Sequence, residues 1–380
     1  MTDAHGATFE HDRLDDQAYL MEADPSGMLR TVASSGAQVR TAYRAAVEAG
    51  LAATGRDARP RAIVVTGMGA SGLAGPVLDA VCGNGAPLPV VTVRGYRLPG
   101  WVGAADLVVA VSRSGGTEET LAVAAEAVRR GCGILGVGVP DSPLAALVTQ
   151  GGGRYVPLSG VAGQPRATMW GLVVPPVVAA AGMGLVRADE GLFESVAARL
   201  EDIAHRCRPS SESFINPGKT LAAELAGSIP MIWGTSPLAG VAAYRMSCQI
   251  NESARRPAVW GELPEAGHNQ IAALDGPLAG RDIFADPFAD GGEAPRLRLV
   301  VMRDADEHPR VTRRRVESVR LAEDRGVPVS EIAADEGHPL ERLASLVGLA
   351  DYAALYLALG YGLDPASAPV VGELSARVSQ

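Results

Sequence analysis

Apolar positions recur along this chain in two rhythms. Short runs such as Ala62-Ile63-Val64-Val65, Pro89–Val93, Leu107–Val111 and Gly133–Val137 are nearly continuous and rich in β-branched residues, as expected of strands buried on both faces. A further strand is expected near Tyr155–Leu158. Between these runs lie stretches with apolar residues at helical spacing, one from Ser71 and one over Glu118–Arg129. Strand and helix thus alternate from residue 61 to about 160, the signature of a doubly wound parallel sheet. A second alternating set follows Asn216-Pro217-Gly218: helix Lys219–Ala226, strand Pro230–Trp233, a helix from Leu238, and strands over Leu297–Met302 and Val327–Ile332.

Helical spacing also marks Met28–Leu51, Thr168–Cys207 and Pro339–Leu359, the last apolar along most of its length and therefore expected to be buried. Gly276–Ala294, rich in Gly, Asp and Pro, reads as a loop insertion. The expected fold class is α/β, with two doubly wound, parallel-sheet domains over residues 59–185 and 213–365. A helical linker (186–212) joins them, an N-terminal tail with helices (1–58) precedes them and a C-terminal helix (366–380) follows.

The candidate chemistry sits where two of the strands end. Gly67-Met68-Gly69-Ala70-Ser71-Gly72 follows the first run, and Ser112-Arg113-Ser114-Gly115-Gly116-Thr117-Glu118-Glu119-Thr120 follows Leu107–Val111. A strand, a Gly/Ser turn and a helix in succession aim backbone N–H groups and hydroxyls at an anion. Two such turns at neighbouring strand ends would cradle one phosphate. The first turn is not the dinucleotide fingerprint, because no third glycine falls at the required offset and no acidic residue ends the next strand.

Composition narrows the partners. A net charge of −9 argues against nucleic acid or an anionic membrane surface, while 47% hydrophobic and 20% charged residues describe a globular protein with a large core. Aromatics make up 4%, so Ala, Val and Leu must fill that core. Lys219 is the one lysine in the chain. Cys82, Cys132, Cys207 and Cys248 form no CxxC pair, and Cys132 and Cys248 read as buried thiols. The six histidines are scattered, so no metal set is readable and no cofactor is expected. Met1–Arg13 carries no apolar segment of the signal-peptide kind, and no apolar run reads as long enough to span a bilayer, Val173–Met183 being interrupted by Pro175 and Pro176. These features predict a cytoplasmic protein.

The second turn, Ser-x-Ser-Gly-x-Thr, resembles the phosphosugar-binding turn of SIS (sugar isomerase) domains. Farther on, Asn251-Glu252-Ser253-Ala254-Arg255 and Pro264-Glu265-Ala266-Gly267-His268-Asn269-Gln270 resemble two motifs of the bifunctional phosphoglucose/phosphomannose isomerases, which are built from two SIS domains. The resemblance extends through Pro165-Arg166-Ala167-Thr168, Asn216-Pro217-Gly218-Lys219, Tyr356-Leu357-Ala358-Leu359 and Asp364-Pro365, in order and with spacing kept. It implies an aldose–ketose isomerase that moves a proton between C1 and C2 of a hexose 6-phosphate. It implies phosphate binding by Ser71, Ser112, Ser114 and Thr117, and substrate contacts at Gly69 and Thr168. Glu252 matches the base, His268 the group that serves the ring oxygen, and Arg166 the cation facing the enediolate. The resemblance also implies a homodimer in which His268 reaches across the interface. Taken singly, Glu252 would read as a surface carboxylate and His268 as a turn cap; their joint occurrence with the serine turns changes that reading.

The chain departs from the family pattern at two places. The C-terminal lysine that assists ring opening falls on Ser375, which carries no charge, and Arg377 lies two residues on. Gln270 stands where the family has Glu after the His-Asn pair. A sugar-phosphate-binding protein with weakened catalysis is therefore the competing expectation.

Overall fold

The strand-like runs form two all-parallel sheets in the computed structural model, which describes residues 8–53, 59–161, 163–279 and 296–378. The described chain falls into two compact units. The first comprises Ala33–Glu201 with His338–Glu341, and the second the described parts of Met1–Val32, Asp202–Gly337 and Arg342–Gln380.

In the first unit, β1 (Ile63–Thr66), β2 (Val90–Val93), β3 (Leu107–Ser112), β4 (Gly133–Gly138) and β5 (Arg154–Pro157) lie in the order β2-β1-β3-β4-β5. Val64 on β1 and Val108 on β3 pack with Val123 and Ala127 of the helix Glu118–Arg129, while Ala110 and Ile134 pack with Leu144 and Val148 of the helix Pro143–Gln150. Each valine, leucine or isoleucine among them contributes about 1.5–3 kcal/mol on leaving water, which is why these runs read as apolar without alternation. The strand order reverses between β1 and β3. That reversal is the topological switch point, the place where open α/β sheets bind ligands beyond their carboxyl ends.

The second unit repeats the order with one strand fewer. β6 (Ser228–Gly234), β7 (Val259–Glu262), β8 (Arg296–Arg303) and β9 (Val329–Ala333) lie as β7-β6-β8-β9, so its switch point falls between β6 and β8. β7 is the strand the sequence pattern does not announce. It is an edge strand of four residues, with Val259 and Trp260 exposed, so it lacks the apolar run of its neighbours. Most of the predicted insertion at 276–294 lies outside the described residues.

The helix Pro339–Gly360 corrects one expectation. By length and apolarity it would suffice to cross a membrane, although no such run was expected; 94% of its most apolar window is buried inside the protein, as a core helix. Two of its polar groups reach partners outside the helix. Asp351 receives Nε and Nη2 of Arg245 at 2.8 and 3.0 Å, and Tyr356 donates to the carbonyl of Cys207 at 2.6 Å. The prolines at 175 and 176 likewise do not break their segment, since the helix Met169–Gly182 runs through both, with Met169 to Ala180 buried throughout. Lys219 is fully buried and donates to the carbonyls of Pro209 and Ser211 and to Asp15 Oδ1 at 2.9, 2.6 and 3.2 Å. Cys132 is buried as expected, whereas Cys248 is half-buried and Cys207 is the other enclosed thiol.

Candidate phosphosugar site

Both serine turns emerge at the first unit's switch point. After β1 the chain makes a 3-10 turn, Gly69–Leu73, before the helix Ala74–Cys82 begins. The turn is tight: a Cβ on Gly67 would stand 2.7 Å from the Ser71 carbonyl oxygen and 2.9 Å from that of Val111. Gly69 sits at φ +55°, a conformation glycine adopts without penalty. After β3 the second turn wraps around its own first residue. Ser112 Oγ lies 2.9 Å from Thr117 Oγ1 and 3.5 Å from Ser114 Oγ, and it accepts the amide of Gly115 at 3.1 Å. Thr117 precedes the helix Glu118–Arg129 but does not cap it through its side chain, because its hydroxyl faces Ser112 instead.

The two turns are joined directly. The Arg113 amide donates to Ser71 Oγ at 3.2 Å, and the half-buried Arg113 guanidinium donates to the Val161 carbonyl at 2.7 Å. Burial lowers the Arg113 pKa from its ordinary value. Ser71 and Ser112 are buried, Thr117 half-buried and Ser114 exposed, so the hydroxyls grade from the sheet toward solvent. The short helical turn Pro165–Ala167, which carries Arg166, packs against the Gly69–Leu73 turn. Thr168 closes that turn: its buried hydroxyl donates to the Pro165 carbonyl at 2.9 Å. The first unit therefore gathers Gly69, Ser71, Ser112, Ser114, Thr117, Arg166 and Thr168 on adjoining turns.

Glu252 and His268 belong to the second unit. The helix Pro237–Gln249 ends in a π-helical turn, Ile250–Ala254, and half-buried Glu252 occupies its middle. Such wide turns are uncommon and concentrate at functional positions. Arg255 ends the turn in the left-handed conformation, φ 53° and ψ 36°, and its Nη2 donates to the Ser367 carbonyl at 2.7 Å. The chain beyond is clamped back, with Ala258 donating to Asn251 Oδ1 at 3.0 Å and accepting from Ser247 Oγ at 3.0 Å.

His268 ends the 3-10 turn Glu265–His268 that follows β7, and it is exposed. Gln270, expected to differ from the family's residue, uses both ends of its amide. Its Oε1 accepts from Trp233 Nε1 at 2.7 Å while its Nε2 donates to the Trp260 carbonyl at 2.9 Å. An ionised glutamate only accepts, so it would leave the second bond unmade. Glu262, at the end of β7, is half-buried, and burial raises its pKa above the usual carboxylate range. Ser375 lies on the helix Pro369–Val378, whose residues are all exposed, and its hydroxyl donates to the Val371 carbonyl at 3.0 Å. Among the described residues, no group of three or more His, Cys, Asp or Glu side chains is placed to hold a metal ion.

Comparison with known proteins places this geometry in a family. The profile described as "Bacterial phospho-glucose isomerase C-terminal SIS domain" matches residues 214–378. A bifunctional phosphoglucose/phosphomannose isomerase of Aquifex aeolicus is 30% identical over 313 residues, covering 82% of this chain and 88% of that protein. This chain belongs to the bifunctional phosphoglucose/phosphomannose isomerase family. A second member, from Caldicellulosiruptor bescii, is 28% identical over 319 residues, covering 84% of this chain and 89% of its own. The fold is also that of a glucose-6-phosphate isomerase from Chlamydia trachomatis, with a TM-score of 0.66 at 13% identity, covering 97% of this chain and 84% of that one. Within this isomerase family, the two sheets of the present chain are the two SIS domains of the family's architecture.

Proposed function

We propose that the protein is an aldose–ketose isomerase interconverting glucose 6-phosphate and mannose 6-phosphate with fructose 6-phosphate. The observation that carries this reading is the pair of joined serine turns at the first switch point, where the Arg113 amide holds Ser71 Oγ and the neighbouring Ser112 Oγ lies against Thr117 Oγ1. Ser71, Ser112, Ser114 and Thr117, with the amides of both turns, bind the phosphate. Glu252 takes the C2 proton of the open-chain aldose and returns it to C1. The electron pair left at C2 forms the C1–C2 double bond of a cis-enediolate as the C1 carbonyl oxygen takes up the charge; the C2 hydroxyl proton then passes to O1, and reprotonation at C1 leaves the C2 carbonyl of the ketose. Arg166 faces the charge of that intermediate, and His268 exchanges a proton with the ring oxygen during opening. Gly69 and Thr168 shape the substrate position. Because the enediolate is planar at C2, glucose and mannose phosphates pass through the same intermediate, which supports dual specificity. The proton balance closes within the substrate and the side chains, so this scheme requires no cofactor. The same resemblance assigns a homodimer with His268 serving the partner's site, which sedimentation of the purified chain tests.

The decisive experiment is a coupled assay with fructose 6-phosphate that follows glucose 6-phosphate and mannose 6-phosphate separately. Formation of both supports the reading, and formation of one alone restricts it to that sugar. A second reading, sugar-phosphate binding without turnover, is favoured by Ser375, which offers no ammonium where the family has lysine. Lys219 cannot supply that group, being fully buried and bound by two carbonyls and Asp15. Absence of turnover combined with a phosphosugar-induced rise in Tm would establish this second reading.

A further inference from the structure

The two switch points are built alike but carry opposite charge. Thr66 on β1 pairs with Ala110 on β3, and Trp233 on β6 pairs with Val301 on β8. Each first strand continues into a glycine, Gly67 or Gly234, whose added Cβ would meet backbone atoms within 3 Å. Following each third strand to the same distance leads to Arg113 in one unit and to Asp304 in the other. Their backbones behave identically. The Arg113 amide donates to Ser71 Oγ at 3.2 Å, and the Asp304 amide donates to Thr235 Oγ1 at 2.9 Å.

The side chains then diverge. Asp304 is buried, and its carboxylate turns onto the crevice's own donors. Ser236 donates to Asp304 Oδ2 at 2.7 Å while its Oγ also accepts the Ala239 amide of the following helix at 3.1 Å. Arg342 reaches Asp304 Oδ1 through Nε at 2.7 Å and Oδ2 through Nη2 at 3.5 Å. Hydroxyl, arginine and helix start are the groups that receive an oxyanion at such a crevice. Here a carboxylate of the chain already holds them. Asp306, which is largely exposed, also lies 3.9 Å from Arg342.

We infer that Asp304 is a built-in anion that closes the second sheet's switch point to phosphate, so that each chain takes up a sugar phosphate at one of its two sheets. This rests on the proposed phosphate role of the first sheet's serine turns. Incoming phosphate at the second crevice would meet a fixed negative charge and find its hydroxyl and arginine partners engaged. The ligand class excluded is an inorganic oxyanion or phosphomonoester.

The test uses the full chain, with inorganic phosphate as the probe and sodium chloride of equal ionic strength as the reference. Wild type is expected to bind one phosphate by calorimetry. The turn-blocked variant, Ser112→Ala with Thr117→Ala, is expected to bind none. Adding Asp304→Ser to that variant is expected to restore one site and to raise Tm by about 2 °C at phosphate tenfold above Kd. If Asp304→Ser does not fold, Asp304→Asn keeps the side-chain shape and removes only the charge, and phosphate is expected to stabilise it over chloride. A wild type that binds two phosphates, or a folded Asp304 variant in the blocked background that does not respond, overturns the inference. A wild type that binds none, together with a site gained in Asp304→Ser, would sink the role of the serine turns and leave Asp304 as the anion that closes the second crevice.

Discussion

The amide of Arg113 donates to Ser71 Oγ at 3.2 Å, so the turns that follow β1 and β3 hold one another directly. That contact follows from the strand order, which places β1 beside β3.

Ser112→Ala removes a hydroxyl that touches Thr117 Oγ1 and Ser114 Oγ and accepts the Gly115 amide. Hydrogen bonds to a charged group contribute about 1.5–3 kcal/mol, so the Kd for fructose 6-phosphate is expected to rise about 10- to 100-fold. Calorimetric titration of the variant checks this, and an unchanged Kd would remove Ser112 from the phosphate site.

Asp106 ties the starts of β1 and β3 together at the far end of the same sheet. It accepts Nε and Nη2 of Arg61 at 3.0 and 2.7 Å and the Gly103 amide at 2.8 Å. The Arg61 guanidinium holds its carboxyl below the usual carboxylate range. The unfolded chain therefore binds this proton more readily than the folded one. The stabilisation is complete above about pH 4, the ordinary carboxylate pKa, and is lost as the pH falls through the lowered folded value. Thermal unfolding between about pH 2 and pH 5 should show wild type losing more Tm on acidification than Asp106→Asn. Parallel curves would contradict the assignment.

The pair of Arg245 and Asp351 is enclosed, with side-chain exposures of 2% and 6%. Asp351→Ala leaves a buried guanidinium uncompensated, and a loss of about 3–5 kcal/mol is expected. Arg245→Met combined with Asp351→Leu should recover most of it, because a well-packed apolar pair avoids the desolvation cost. Denaturant unfolding of the singles and the double variant decides this. A double variant as unstable as Asp351→Ala would show that the pair does more than neutralise itself.

The strands that the sequence announced most plainly are the central ones, although the edge strands β2, β5 and β9 were expected as well. β1, β3, β4, β6 and β8 read as strands because both faces of each are covered. β7 did not, because an exposed edge strand with Trp260 half in solvent carries no such run. The Pro339–Gly360 helix shows the same limit from the other side, since uniform apolarity does not tell a membrane span from a core helix. At the site, the serine turns were legible from their Gly/Ser spacing. Two things were not. The bond from Arg113 to Ser71 runs through a backbone amide, which no residue type reports. The bracket that Gln270 forms between Trp233 and Trp260 reads in sequence as a lost glutamate and in structure as an amide using both ends. Asp304 escaped notice for a related reason: in sequence it is one acid among Asp304, Asp306 and Glu307, and the strand register alone gives it the place in the second sheet that Arg113 holds in the first.

The claim at the centre of this account is proton transfer by Glu252, and one measurement tests it directly. Wild type and Glu252→Gln are each incubated with fructose 6-phosphate in deuterated water, and the aldose phosphates formed are followed by proton NMR. Wild type should form product carrying solvent deuterium at C2. Glu252→Gln should bind the sugar phosphate normally and form product about 100- to 10,000-fold more slowly. A variant that turns over at the wild-type rate would contradict the account.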